Sequence, residues 1–208
     1  MTTYPVTIPT TIAPSATTFR IMRSVGATQS VYTGAQQVYQ YTGEWWECEV
    51  TMPPMRTANA REFVAFLVSM RGLYGSMYLG DWDARTPLGT ASSSAGTPLV
   101  KGADQTGNSL ICDGAPATQT GYLKAGDYIQ IGSGDTQKLH MLTADTNSDG
   151  SGDFTVAIEP ALRTSPADNT ALTVSNTKGV FRLASNETSW NTNAVSTYGM
   201  TFAVREKL

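Results

Sequence analysis

Apolar residues recur along this chain with two periods, and the helical period occurs once. In Thr57 to Arg71, Phe63, Phe66, Leu67 and Met70 fall at i, i+3, i+4 and i+7, the stripe of a helix laid on a core. Asn59 and Glu62 have capping-box spacing, Arg71 falls in the last turn where its charge suits the dipole, and Gly72 is placed for a left-handed stop. Upstream, Trp46, Cys48, Val50 and Met52 alternate with Glu47, Glu49 and Thr51, which predicts a half-buried strand broken at Pro53-Pro54. Downstream, Tyr74 to Leu79 reads as a strand ending at Gly80-Asp81. One helix across a mostly antiparallel sheet is the simplest packing of this unit, because a sheet face is the only large surface that can bury the stripe.

The rest of the chain follows the period of two. Met1 to Thr17, with Pro5, Pro9 and Pro14 each lacking a backbone donor, predicts an extended arm of the kind that lies on a neighbour. Thr18 to Val25 alternates Phe19 and Ile21 against Arg20 and Met22; Ser30 to Thr33 and Gln36 to Tyr41 follow, and a Thr42-Gly43 turn leads into the Trp45 strand, a meander with hairpin-length loops. Arg85 to Pro98 has no periodicity and reads as a linker or exposed loop. Beyond it, Leu99 to Lys101, Ser109 to Cys112, Tyr128 to Ile131, Lys138 to Leu142 and Phe154 to Ile158 are short strands separated by turns, predicting a small antiparallel barrel or sandwich. Ala171 to Val174 and Val180 to Leu183 come next, and Asn186 to Thr197 reads as loop around Trp190. The clean alternation of Met200, Phe202 and Val204 in Tyr198 to Arg205 predicts a last strand that returns to the first sheet. The expected organisation is therefore an outer domain of residues 1–83 and 179–208 interrupted by an inserted β-rich domain, residues 84–178.

Composition agrees with a mainly β chain. Only 15% of residues are charged, and 19 Gly and 10 Pro supply turns. A net charge of -3 with scattered Lys and Arg speaks against a nucleic-acid backbone as partner, and no apolar run approaches membrane length. The amino terminus lacks the basic-then-apolar pattern of a leader, so a product made in the cytoplasm is expected. Cys48 and Cys112 can pair, though two buried reduced thiols is the stronger reading, and neither has zinc-ligand spacing.

No catalytic set emerges. His140 is the single histidine and sits in an apolar run, so hydrolase triads and common zinc sites lack a second member. Glu47 with Glu49, and Asp81 with Asp83 around Trp82, could serve as carboxylate pairs, but a solvated strand face and a polar turn account for them. Asp145, Asn147 and Asp149 followed by Gly150 repeat the first half of a calcium loop; the position for its bidentate Glu is Val156, and strands flank it where helices belong, so a polar hairpin turn is the stronger reading. No metal or cofactor and no enzymatic activity are expected.

One resemblance runs through the chain in order. The Trp45 strand with its Pro53-Pro54-Met55 break, FLVSMRG (Phe66 to Gly72), GSMYLGD (Gly75 to Asp81), LKAGDYIQIG (Leu123 to Gly132), IEPALR (Ile158 to Arg163), GVFRLAS (Gly179 to Ser185) and YGMTFAVRE (Tyr198 to Glu206) together resemble the distal tail, or baseplate hub, proteins of siphophages and related prophages. The resemblance implies a tail-tube-like antiparallel β-sandwich hub with one flanking helix, carrying an inserted small β-barrel or sandwich that faces outward. It implies a ring of self-associated subunits, commonly a hexamer, at the virion tail tip, whose inner surface continues the DNA channel. Its partners would be the tail tube protein and tail-tip hub or fibre proteins. Within that expectation the candidate assembly residues are Tyr4, Pro5 and Val6 of the arm with Trp45, Trp82 and Trp190. A carbohydrate- or receptor-binding β module is the alternative, with Trp82, Tyr122, Tyr128 and Trp190 as candidate stacking residues.

Overall fold

A computed structural model describes residues 3–193 and 196–208 and is mainly β with one α-helix. The first half holds β1 (Val6–Thr7), β2 (Ala16–Gln29), β3 (Gln36–Thr51), β4 (Met55–Arg56), α1 (Thr57–Ser69) and β5 (Met77–Leu79). Then come β6 (Leu99–Val100), β7 (Gly107–Asp113), β8 (Tyr128–Ile131), β9 (Lys138–Leu142), β10 (Phe154–Leu162) and β11 (Leu172–Thr173). The chain closes with β12 (Gly179–Leu183), β13 (Asn191–Thr192), β14 (Thr197–Gly199) and β15 (Thr201–Glu206).

Three sheets result. The first has the order β1-β5-β12-β15-β3-β2, the second β11-β8-β9-β10-β7-β6, and a small third sheet β13-β14-β4. All six strands of the second sheet lie, in sequence, between β5 and β12, which are neighbours in the first. The outgoing and returning connections run side by side at Gly80, where a Cβ would stand 2.0 Å from the Thr177 carbonyl oxygen. Only glycine permits that approach. The second sheet all but closes into a barrel: a Leu99–Ala171 bridge joins its first and last strands, with Val100 N donating to Thr170 O at 2.9 Å and Leu172 N to Pro98 O at 2.9 Å.

Several local expectations change once pairing is known. Gln36 to Thr51 is one strand, and β2 pairs along it from Ala16 opposite Thr51 to Gln29 opposite Gln36, so the expected three-strand meander is a single long hairpin with Ser30–Ala35 as its tip. Thr42-Gly43 is a bulge in that strand rather than a turn, because Arg23 pairs with Glu44 and Val25 with Gln40, leaving one residue opposite three. The helix starts at Thr57, two residues ahead of the Asn59 cap, without a side-chain cap; β4 pairs with β14 and feeds it directly, and Glu62 accepts from Thr11 instead. Arg71 lies beyond the last turn, and both it (φ 54°) and Gly72 (φ 64°) are left-handed. Only Met77–Leu79 of the Tyr74 segment forms a strand. The Arg85–Pro98 segment is no free linker: Thr90 N and Ala91 N donate to Gly121 O and Tyr122 O, and Ala91 is buried in the barrel core. Part of Asn186 to Thr197 pairs as β13 and the start of β14, residues 194 and 195 lying outside the described ones.

The first sheet has one apolar face. By register, Met77, Phe181, Leu183, Phe202, Val204, Trp46, Cys48, Val50, Phe19 and Ile21 all point the same way. Phe63, Phe66, Leu67 and Met70 of α1 and its C-cap cover one end of that face, Leu67 lying beside Leu183 and Phe202. The outside of the barrel covers the other end: Tyr128 and Leu139 join the same core, and Phe19, Trp46, Phe181 and Tyr128 meet ring to ring. The barrel keeps a core of its own around Leu110, Cys112, Tyr122, Ile129, Phe154, Val156 and Ile158.

Trp46 joins the two bodies, since its buried Nε1 donates to the Leu139 carbonyl of the barrel at 2.9 Å. Trp46→Phe keeps an aromatic ring there but deprives a buried carbonyl of that donor. The expected loss is about 1–3 kcal/mol, read from equilibrium urea unfolding by circular dichroism.

Candidate functional site

The feature that the packing leaves unexplained is the outer half of the β2–β3 hairpin. Between Arg23 and Glu44 no residue is charged, in a chain that is 15% charged overall. Solvated ribbons ordinarily carry charge to block edge pairing. Here Val31 and Tyr32 at the tip are 94% and 99% exposed, and Val25, Val38, Tyr39 and Tyr41 are half or more exposed. The register sets Val25, Ala27 and Val38 on one face and Gly26 and Tyr39 on the other, so each face carries exposed apolar side chains among uncharged Thr and Gln. Tyr41 lies across Gly26, its ring 3.6 Å from where a Cβ would stand.

Both edges of this ribbon are open. β2 is the outermost strand of its sheet, and on the far side of β3 the pairing with β15 stops at Glu47 opposite Arg205. Past that point side chains take over from the strand: the Glu206 carboxylate accepts from Trp46 N at 3.1 Å, and Arg163 donates to the Glu44 carbonyl. Glu44 is itself buried. Its carboxylate accepts from Ala161 N at 3.2 Å and from Gln40 Nε2 at 3.1 Å, and lies 3.5 Å from Arg23 Nε. Arg163 also pairs with Glu206, and Arg23 Nη2 is 3.0 Å from Glu159 Oε2, an ion pair not aligned as a hydrogen bond. Two guanidinium and three carboxylate groups thus tie the ribbon root, the barrel and the closing strand together.

The residues singled out from the sequence lie elsewhere. Tyr4, Pro5 and Val6 belong to an arm that folds back on its own chain: Val6 pairs with Met77, Tyr4 OH donates to Ser69 O at 2.5 Å, and its ring meets Tyr74 edge-on. Trp45 is on the solvated face of the first sheet, with the Arg205 guanidinium 4.0 Å above its ring and Nε1 donating to Glu47 at 3.0 Å. Trp82 is half-buried against the main core with Arg85 over it, and Trp190 is exposed just before β13. Tyr122 and Tyr128 are core residues of the barrel and of the junction, so the four aromatics proposed for stacking share no face.

The polar candidates are occupied locally. Asp145 Oδ1 accepts from Ala125 N at 3.0 Å, Asn147 Oδ1 from Gly121 N at 2.7 Å, and Asp149 Oδ1 from Ser151 N and Asp153 N. Those backbone donors, joined at Asp145 by Lys124, hold both carboxyls below the usual range. The three oxygens thus brace separate loops, and no group of three or more metal-binding acidic, His or Cys side chains exists among the described residues. Glu49 pairs with Arg20, and Asp81 caps the turn at Asp83 N. Cys48 and Cys112 are buried and unpaired in different cores, and burial pushes both thiols up to about 12. Among the described residues no helix is long and apolar enough to cross a membrane.

Compared with known protein families and with curated proteins, the chain matches none. The signal of the ribbon in the sequence is its run of twenty uncharged residues between Arg23 and Glu44 around Gly34, a feature that periodicity alone does not single out.

His140 is buried in the barrel wall, and its Nδ1–H donates to Pro160 O at 2.7 Å. Burial lowers its pKa to about 4 from the ordinary 6.5, with Arg163 and Lys138 adding to the fall. Between those values the unfolded chain binds a proton that the folded chain refuses. Stability from neutral His140 is therefore complete above the unfolded value and is lost as pH falls toward the folded one, up to about 3 kcal/mol. Urea unfolding from about pH 7.5 to about 4.5 is expected to show a shallower pH dependence in His140→Gln than in the wild type; identical slopes would place the titration elsewhere.

Proposed function

We propose that this chain is a structural component of a long non-contractile phage or prophage tail, forming a ring at the distal end of the tail tube and joining the tube to tail-tip proteins and fibres. The observation that carries the reading is the uncharged ribbon from Ser24 to Gly43, with exposed Val and Tyr side chains on both faces and no strand paired beyond β2 and β3 among the described residues. A head-to-tail contact, in which one open edge meets the other edge of the next copy, closes into a ring when the rotation is right. The first sheet with its single helix is the tail-tube-like sandwich hub in this reading, and the barrel is the outward-facing module. The motif succession supports it, as does a set of polar groups spent on loops and ion pairs rather than gathered in a catalytic cleft. The core positions of Tyr122 and Tyr128 weigh against a sugar-binding module.

The test is self-association. Light scattering and sedimentation over a concentration series are expected to show closed oligomers of the wild type. Tyr32→Asp combined with Val38→Lys changes only exposed positions, so unfolding should be unaltered, while the concentration needed for assembly rises about tenfold or more, about 1.4 kcal/mol per tenfold. Assembly of that variant at wild-type concentrations would remove the ribbon from the contact.

A further inference from the structure

We propose that the bracket of Glu44, Arg163 and Glu206 fixes the direction in which the β2–β3 ribbon leaves the body, making Arg163 a positioning residue for assembly; the consequence for assembly rests on the ribbon being the subunit contact. Beyond the bulge the ribbon is exposed and, among the described residues, pairs with no third strand, and a two-stranded ribbon has no core to orient it. Its direction is set where one residue, Ser24, faces three, Tyr41 to Gly43, and bulges bend strands. An open crevice lies beside this point, bounded by Tyr41 and Thr42 on the ribbon and by Asn108 and Leu162 on the barrel. The root has room to swing there unless something holds it.

Arg163 is what holds it. One arm of its guanidinium grips the backbone carbonyl of Glu44 and the other the carboxylate of Glu206, so a single planar group spans ribbon, barrel and closing strand. The Glu44 carboxylate returns the contact by accepting from Ala161 N of the barrel, and Arg23 makes a second crossing to Glu159. The side chains of Glu44 and Glu206 are 4% and 1% exposed. Buried ion pairs of this kind add little net stability relative to apolar packing, and directional registry is the role proposed for this one. A ribbon held at one angle loses less freedom when it docks, so its contact forms at lower concentration.

The experiment separates direction from assembly. Spin labels at Tyr32→Cys on the tip and Ile111→Cys on the exposed barrel wall report the angle in dilute protein, the buried native thiols staying unlabelled. The wild-type background is expected to give one narrow distance distribution. Arg163→Met with Glu206→Gln, which leaves no unpaired charge at Glu206, should broaden it while circular dichroism stays native, and raise the assembly concentration about tenfold. Arg163→Lys, which keeps the charge but loses the fork, should fall between and serves as the readout should the double variant unfold. An unchanged narrow distribution in the variants would overturn the proposal. A wild type that stays monomeric at every concentration, yet shows the broadening on substitution, would strike down the ring and leave the bracket standing.

Discussion

A six-stranded sheet has an apolar face larger than one thirteen-residue helix covers, and the rest of this structure answers that shortage. The helix takes the end near Leu183 and Phe202, while the end near Phe19, Trp46 and Phe181 is roofed by the outside of the barrel through Tyr128 and Leu139. The barrel is therefore more than an appendage. Its inward residues make one core and its outward residues complete another, and strands β8 and β9 carry the two sets on alternate positions. The Trp46 indole fixes the docking by donating across the boundary.

Strand β3 runs through both environments. From Glu47 to Thr51 it is an interior strand, paired with β15 on one side and β2 on the other. From Gln36 to Gly43 it has only β2 and faces water. The change falls at Glu44, where backbone groups that have run out of strand partners are met by charged side chains from the barrel and from β15. Charge is concentrated at the root and missing from the ribbon itself.

Several polar candidates elsewhere are likewise held by hydrogen bonds to the backbone. The half calcium loop braces turns through separate backbone donors, and His140, with Pro160 beside it, is held neutral within the barrel wall. Side chains that looked like site candidates in isolation have partners in neighbouring loops, strands or the helix. At the ribbon root, Arg163 joins Glu44 and Glu206 over long sequence distances, ties that no local pattern pairs.

Much of the architecture was legible in the sequence because alternation and helical stripes record, residue by residue, which side faces a core. Phe63, Phe66, Leu67 and Met70, the Trp46 to Met52 alternation and the Phe202 to Val204 alternation each identify their element without reference to any other. What they leave open is pairing. Thr42-Gly43 has the local composition of a turn, and only the register of β2 across it makes it a bulge in a continuous strand; Arg85 to Pro98 has the composition of a linker, and only the Gly121 and Tyr122 carbonyls make it part of the barrel. The candidate site lay in the same blind spot: the run without charge was visible, but that it projects, stays exposed on both faces and is gripped by Arg163 depends on contacts more than a hundred residues apart. The sequence by itself determined which residues seek a core and in what local form, since that is written in side-chain periodicity. Which strands are neighbours, where a strand ends and which apolar face is left uncovered were decided only in the tertiary structure, because hydrogen-bond pairing and burial are properties of two segments at once.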